Sequence, residues 1–291
     1  MVSAVEDRIS VAGNFAEIRD VESRARRFET PCGDGHMVWR QWGEGRPVLM
    51  LHGGSGSWLH WLRQIPFLES NRSVWVPDLP GMGESHMPPE PYEANPYADI
   101  VMSGFDKLTS GAGTIDLLGF SFGAGLSGRI ACRMPGRIRH LVLSGANFFE
   151  PQPMRRRANL LSLKRIVDPA ERLRAVRNNL QVMMLRHDKN IDDLAIHLYD
   201  TDTARRRLPR VSFSGFPTLR ADIGQFKIQG RLTAISGADD QVIGHDPDGQ
   251  RAQFLSIIPE ARYHGIAGAG HWVMYEGTEG YNAALVQALA D

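Results

Sequence analysis

Cysteine is nearly absent from this 291-residue chain: there are only two, Cys32 and Cys132. They lie far apart and match no metal or redox spacing, so a disulfide framework and a cysteine-built metal site are excluded, and free thiols packed in the interior in a reducing compartment are expected. Long apolar runs are also missing. No stretch approaches the length of a membrane span, and the first thirty residues set Glu6, Asp7, Glu17, Asp20 and Glu22 among arginines, which leaves no apolar core for a secretory signal. Nor is there an excess of either charge. Lysine plus arginine and aspartate plus glutamate each total 33, so no global field exists to hold nucleic acid or an anionic membrane. The composition therefore points to a cytoplasmic protein whose partner is a small molecule.

What is present is 42% hydrophobic composition, enough to bury one large core or a core carrying an insertion. Apolar runs that read as buried strands occur at Met37 to Trp42, Pro47 to Leu51, Val74 to Pro77, Thr114 to Leu118, His140 to Ser144, Leu232 to Ser236 and Arg262 to Ile266. Helical spacing occurs between them, at Trp58, Trp61, Leu62, Ile65 and Leu68, after Ser121, and over Gly280 to Leu289. This alternation predicts an α/β fold, a mostly parallel sheet covered by helices on both faces. From Phe148 to about Phe226 the β-branched runs give way to helix formers and arginine, with Pro151 and Pro153 at one edge and Ser214, Gly215 and Pro217 at the other. Residues 1–147 and 227–291 are thus expected to form the core, and 148–226 an inserted helical cap. There is no internal repeat and no low-complexity tract.

Gly119-Phe120-Ser121-Phe122-Gly123 is a GxSxG motif between a predicted strand and a predicted helix. A serine on so sharp a turn needs small neighbours, because side chains there would clash with the sheet, and it stands proud of the strand ends as a nucleophile. The next amide, on Phe122, opens the helix and is a candidate donor to developing negative charge. The second donor is expected from the glycine-rich loop His52-Gly53-Gly54-Ser55-Gly56-Ser57-Trp58, with Gly54 the choice and Ser55 its rival; a phosphate-cradling loop would need a Lys-Ser or Lys-Thr pair that does not follow.

A serine hydroxyl is a weak nucleophile without an adjacent base. Of the ten histidines, His271 in Gly268-Ala269-Gly270-His271-Trp272 falls on a loop between the last predicted strand and the last helix, where α/β sheets build their sites. Its orienting carboxylate is expected on the turn Ser236-Gly237-Ala238-Asp239-Asp240-Gln241, at Asp240, with Asp239 as the adjacent alternative.

With these residues in place the chain resembles the α/β-hydrolase superfamily from Val38 to Ala290, through the HGG loop, the segment Asp78-Leu79-Pro80-Gly81-Met82-Gly83-Glu84-Ser85, the GxSxG elbow and the GADD and GAGHW segments. The resemblance implies a structural role for Asp78. The cap and the His271-Trp272 pair are similar to hydrolases of aromatic-ring meta-cleavage products, which break a carbon–carbon bond next to a ketone. Those enzymes usually carry asparagine just before the nucleophile, where this chain has Phe120, and a cap arginine near the position of His197-Leu198-Tyr199. The cap arginines Arg155, Arg156, Arg157, Arg205, Arg206, Arg207 and Arg210 fit either solvated helix faces or recognition of a substrate carboxylate. The reading is a serine hydrolase of small carboxylic esters that needs no metal or organic cofactor. Carbon–carbon hydrolysis of a vinylogous keto acid and a ligand-sensing protein on the same fold are its alternatives, and a homodimer is compatible with all three.

Overall fold

The computed structural model describes residues 15–111, 113–134, 136–146, 159–209, 231–243 and 246–290. Eight strands form one sheet: β1 (Arg26–Cys32), β2 (Gly35–Trp42), β3 (Arg46–Leu51), β4 (Arg72–Pro77), β5 (Ile115–Phe120), β6 (Ile138–Ser144), β7 (Arg231–Gly237) and β8 (Arg262–Ile266), in the order β1-β2-β4-β3-β5-β6-β7-β8. β2 pairs antiparallel with β1 and β4, and every pairing from β4 across to β8 is parallel. This is the mostly parallel sheet expected from the alternation of runs. The chain steps from β3 to β4 on one side and then to β5 on the other. That reversal opens a crevice beyond the carboxyl ends of β3 and β5.

The central strands are apolar on both faces because both are covered. Val48 and Met50 enter one core and Leu49 and Leu51 the other, as the two-residue period of a strand requires, and none of the four is exposed. The first core is closed by helix α1 (Ala16–Ser23) through Val21 and by the last helix through Tyr281 and Leu285. The second is closed by α2 (Ala94–Leu108) through Val101 and Phe105, by α3 (Phe122–Arg133) through Leu126 and Ile130, and by the helix Pro247–Ile257 through Phe254.

Between β6 and β7 the described residues carry α4 (Pro169–Met183) and α5 (Asp193–Arg205), capped at their N-termini by Asp168 and Asp192, and no strand. After them come α6 (Pro247–Ile257) and α7 (Thr278–Leu289). The expected boundaries at 148 and 227 lie outside the described residues, as do Arg155, Arg156, Arg157, Arg210 and the proline and glycine clusters. Among the described residues no helix is long and apolar enough to cross a membrane.

Candidate active site

The site begins with a strained residue. Ser121 follows β5 with φ 51° and ψ −110°, a conformation that costs a non-glycine residue of order 1–3 kcal/mol and persists only where the surroundings impose it. They do so from both sides. The Ser121 amide donates to the Ser144 carbonyl of β6 at 2.9 Å, and its own carbonyl accepts from Ala124 and Gly125 as α3 starts. A Cβ on Gly119 would run into the Gly123 carbonyl and Ser127, and one on Gly123 into the Leu51 and His52 carbonyls. The two motif glycines are therefore what lets β5 turn into α3 this tightly.

The Ser121 hydroxyl donates to Nε2 of His271 at 3.0 Å, and Nδ1 of His271 lies 2.8 Å from Oδ2 of Asp240. The carboxylate accepts only, so Nδ1 carries the ring proton and Nε2 is left to accept from serine. Asp240 is wholly buried and His271 nearly so, while Ser121 is partly open. The other carboxylate oxygen, Oδ1, accepts from the amides of Val242 (2.7 Å) and Ile243 (3.3 Å), which fixes the acid's orientation. Asp239, one residue earlier, is half-exposed and meets the histidine loop only through its backbone, donating to the Ala269 carbonyl at 3.0 Å. A hydroxyl so placed can pass its proton to the imidazole as it attacks a carbonyl, and the buried acid can hold the imidazolium that results.

The loop after β3 runs alongside Phe122, the residue after the serine. The Gly53 carbonyl accepts from Nδ1–H of His52 (2.8 Å) and from the Gly56 amide (3.1 Å), and Nε2 of His52 accepts from the Leu79 amide (2.8 Å). His52 is buried, which lowers its proton affinity and keeps the ring neutral for this double role, despite the Asp78 charge nearby. Across a trans peptide the Gly54 N–H points opposite to the Gly53 carbonyl, so fixing the carbonyl on one side turns the amide to the other. A Cβ on Gly54 would lie 3.6 Å from Cβ of Phe122, which puts the two expected donor residues side by side. Ser55, the rival, sits at φ 62° and uses its hydroxyl to accept from Arg206 at 2.7 Å.

Asp78 closes the loop from below. It accepts from the Trp58 amide (2.9 Å) and the Glu84 amide (3.0 Å) and pairs with buried Arg40 at 3.4 Å, the structural role the sequence implied.

The segment between β6 and β7 reaches the loop after β3, the Asp78 segment and the histidine loop. Arg206 bonds Ser55, Asp202 bonds Ser57, and the amides of Arg207 and Leu208 both donate to the Gly81 carbonyl at 2.9 Å. The Trp272 amide donates to the Met184 carbonyl at 2.8 Å. Glu276 was not singled out by the sequence, yet its carboxylate accepts from the amides of Gly270 (2.7 Å), Arg186 (2.8 Å) and His187 (2.9 Å) and from the Asn190 side chain (2.8 Å). It ties the histidine loop to this segment. The only signal for it was an acid five residues after His271, at the end of the short helix Val273–Glu276. His197 leans on Phe15, with ring centroids 5.0 Å apart, and Leu198 is fully buried, so the position aligned with a cap arginine presents no cation here. An open cleft of about 590 Å³ beside Arg63, Tyr275 and Glu279 does not include Ser121, Asp240 or His271.

Comparison with known proteins gives the family and the fold. Over 270 residues, 86% of this chain and 89% of the relative, the sequence is 26% identical to a 2-hydroxy-6-oxo-6-phenylhexa-2,4-dienoate hydrolase of Burkholderia cepacia. Its fold is shared with a meta-cleavage product hydrolase of Pseudomonas fluorescens (TM-score 0.72, 22% identity, 89% of this chain and 96% of that one). It is shared equally with a naproxen esterase of Bacillus subtilis (TM-score 0.77, 19% identity, 94% and 95%). At these identities the two structures speak for the fold alone. The family model described as "Alpha/beta hydrolase family" matches residues 48–284, most of the chain and every loop of the site, and the chain belongs to that family.

Proposed function

We propose that the protein is a serine hydrolase that cleaves a small carboxylic ester through an acyl-enzyme. The observation that carries this reading is the unbroken line of hydrogen bonds from Ser121 through His271 to Asp240. Ser121 attacks the ester carbonyl while His271 takes its proton; the amides of Gly54 and Phe122 receive the oxyanion; His271 then returns the proton to the departing alcohol. Water, deprotonated by the same imidazole, releases the acid. The helices between β6 and β7 serve as a cap over the reacting groups, and Arg206, beside Ser55, is the described cap arginine best placed to meet a substrate carboxylate.

Carbon–carbon hydrolysis of a dienoate is the second reading, favoured by the Burkholderia cepacia relative. Phe120 speaks for the ester. Its buried ring packs 5.0 Å from that of His271, so the residue before the nucleophile offers no polar group to a dienolate. The test is turnover of p-nitrophenyl esters and of a dienolate by wild type and Ser121→Ala. Ester hydrolysis that falls by about 10³-fold or more in the variant is expected. Equal ester rates in the two proteins would defeat the proposal, and turnover of the dienolate alone would move it to the second reading.

A further inference from the structure

Among the described residues, Asp202 is a buried acid that the hydrolytic steps do not use. Asp202 lies in α5, 1% exposed. Its Oδ1 accepts from the Ser57 hydroxyl at 2.6 Å, while its Oδ2 has no hydrogen-bond partner and stands 4.0 Å from Nε2 of His60. Ser57 and His60 both belong to the stretch that follows β3. A buried carboxylate oxygen without a donor is costly, and it calls for an account.

His60 supplies one. The Gly53 amide donates to its Nδ1 at 3.2 Å, so in the neutral ring the proton sits on Nε2, on the side that faces Asp202. Burial holds His60 well below the usual histidine range, and the neighbouring His52 and His271 push the same way, so the ring stays neutral. It also packs against the residues flanking the nucleophile and the base: its centroid is 5.3 Å from that of Phe120 and 5.1 Å from that of Trp272, and its carbonyl accepts from Trp272 Nε1 at 3.2 Å. The charged groups that bear on Asp202 are Asp78, which opposes its ionisation, and Arg205, which favours it.

We propose that Asp202 is a positioning residue for the loop after β3, holding Ser57 by a hydrogen bond and His60 in the tautomer whose Nδ1 accepts the Gly53 amide. This rests on the reading of Gly54 as an oxyanion donor, since the Gly53 amide and carbonyl together set the direction of the next N–H. Ionised Asp202 faces the Nε2–H dipole and favours that tautomer. When Oδ2 gains a proton, its new O–H faces Nε2. For Nε2 to accept, the ring must lose its proton there and gain one at Nδ1; the ring remains neutral, and the Gly53 amide loses its acceptor. Burial, opposed by the Ser57 hydrogen bond, raises the Asp202 carboxyl to about 7, so the exchange falls near neutrality.

Asp202→Asn tests this, because the amide keeps an oxygen for Ser57 and sets a permanent donor toward Nε2, in place of the protonated acid. Expected is a kcat for p-nitrophenyl acetate about tenfold below wild type on the alkaline side, with KM within about twofold and with the Asp202 ionisation gone from the kcat profile. The stability readout has the opposite sign from a structural loss. The carboxyl value in the folded protein lies above the usual one, so this group favours folding most at low pH and does so less as pH rises to about 7; the uncharged amide should leave Tm at pH 8 equal or higher. A profile superimposable on wild type, or a Tm lowered alike at every pH, overturns the proposal. Should Asp202→Asn not fold, Ser57→Ala carries the test: removing the hydrogen bond that favours the carboxylate should move the same ionisation upward, and an unmoved midpoint overturns it. ¹⁵N shifts of the His60 ring give a readout independent of activity, with Nε2–H expected at pH 8 and Nδ1–H at pH 6 in wild type. A protein that shows the tautomer exchange but hydrolyses no ester would sink the proposed function and leave this coupling standing; ester turnover with one tautomer throughout would do the reverse.

Discussion

At the scale of single residues, backbone shape decides more than side-chain type. Ser121 holds φ 51° because hydrogen bonds to β6 and α3 leave it no other place, and glycines at 119 and 123 remove the Cβ atoms that would forbid the turn. That dependence is why Ser121 was legible in the sequence: small residues at fixed offsets leave a pattern. His271 was legible for a similar reason, its short glycine-rich loop lying between the last strand and the last helix. Between the two adjacent acids the sequence favoured Asp240 and kept Asp239 as the alternative, because the choice depends on which side of one turn faces inward. Hydrogen bonds from Val242 and Ile243 turn Asp240 toward the imidazole and leave Asp239 at the surface. Asp240→Asn should lower kcat by about 10³-fold or more, since the amide can present its NH₂ to Nδ1 and favour the wrong tautomer. Asp239→Asn should stay within about threefold of wild type. Steady-state rates on one ester check both, and the reverse ranking would exchange the assignments.

At the scale of elements, the expected strands are present within a residue or two, with one exception. β1 was missed because Arg26, Arg27 and Glu29 on an edge strand leave no apolar run, and its pairing with β2 rather than its own composition makes it a strand. The helical spacing from Trp58 to Leu68 also resolves differently. It breaks into a turn at Trp58–Trp61 and a single helical turn at Ile65–Leu68 with Pro66 at its start, because the backbone there must also give the Trp58 amide to Asp78. The Glu276 clamp was invisible for another reason: its donors Arg186, His187 and Asn190 are some ninety residues away in sequence, in a segment with no motif. Removing the carboxylate should loosen the histidine loop and the inserted segment together. Glu276→Ala is expected to cost about 2 kcal/mol of stability, the surface donors recovering part of their loss from water, and to lower kcat more than it raises KM. Denaturant unfolding and ester kinetics check this; unchanged values in both would show that the clamp positions nothing.

At the scale of the molecule, the order of strands explains why one edge of the sheet receives every candidate loop. The chain reverses direction between β4 and β5, and β3, β5, β7 and β8 all run parallel, so the loops bearing Gly54, Ser121, Asp240 and His271 emerge at one edge. Parallel pairing and alternating helices were readable from the sequence, and with them the edge on which the site lies. Contacts that bind the inserted helices to that edge, Asp202 to Ser57 and Arg206 to Ser55 among them, join residues some 145 to 151 positions apart and leave no local trace. On the proposed reading the substrate belongs to this second kind of information, since a cap would set it by contacts between residues far apart in sequence. The central claim, that Ser121 is the nucleophile, is tested most directly by treating the protein with a fluorophosphonate and mapping the adduct by peptide mass spectrometry. The account predicts a single phosphonylated peptide with the group on Ser121, absent from Ser121→Ala. An adduct on another residue, or equal labelling of the variant, would contradict it.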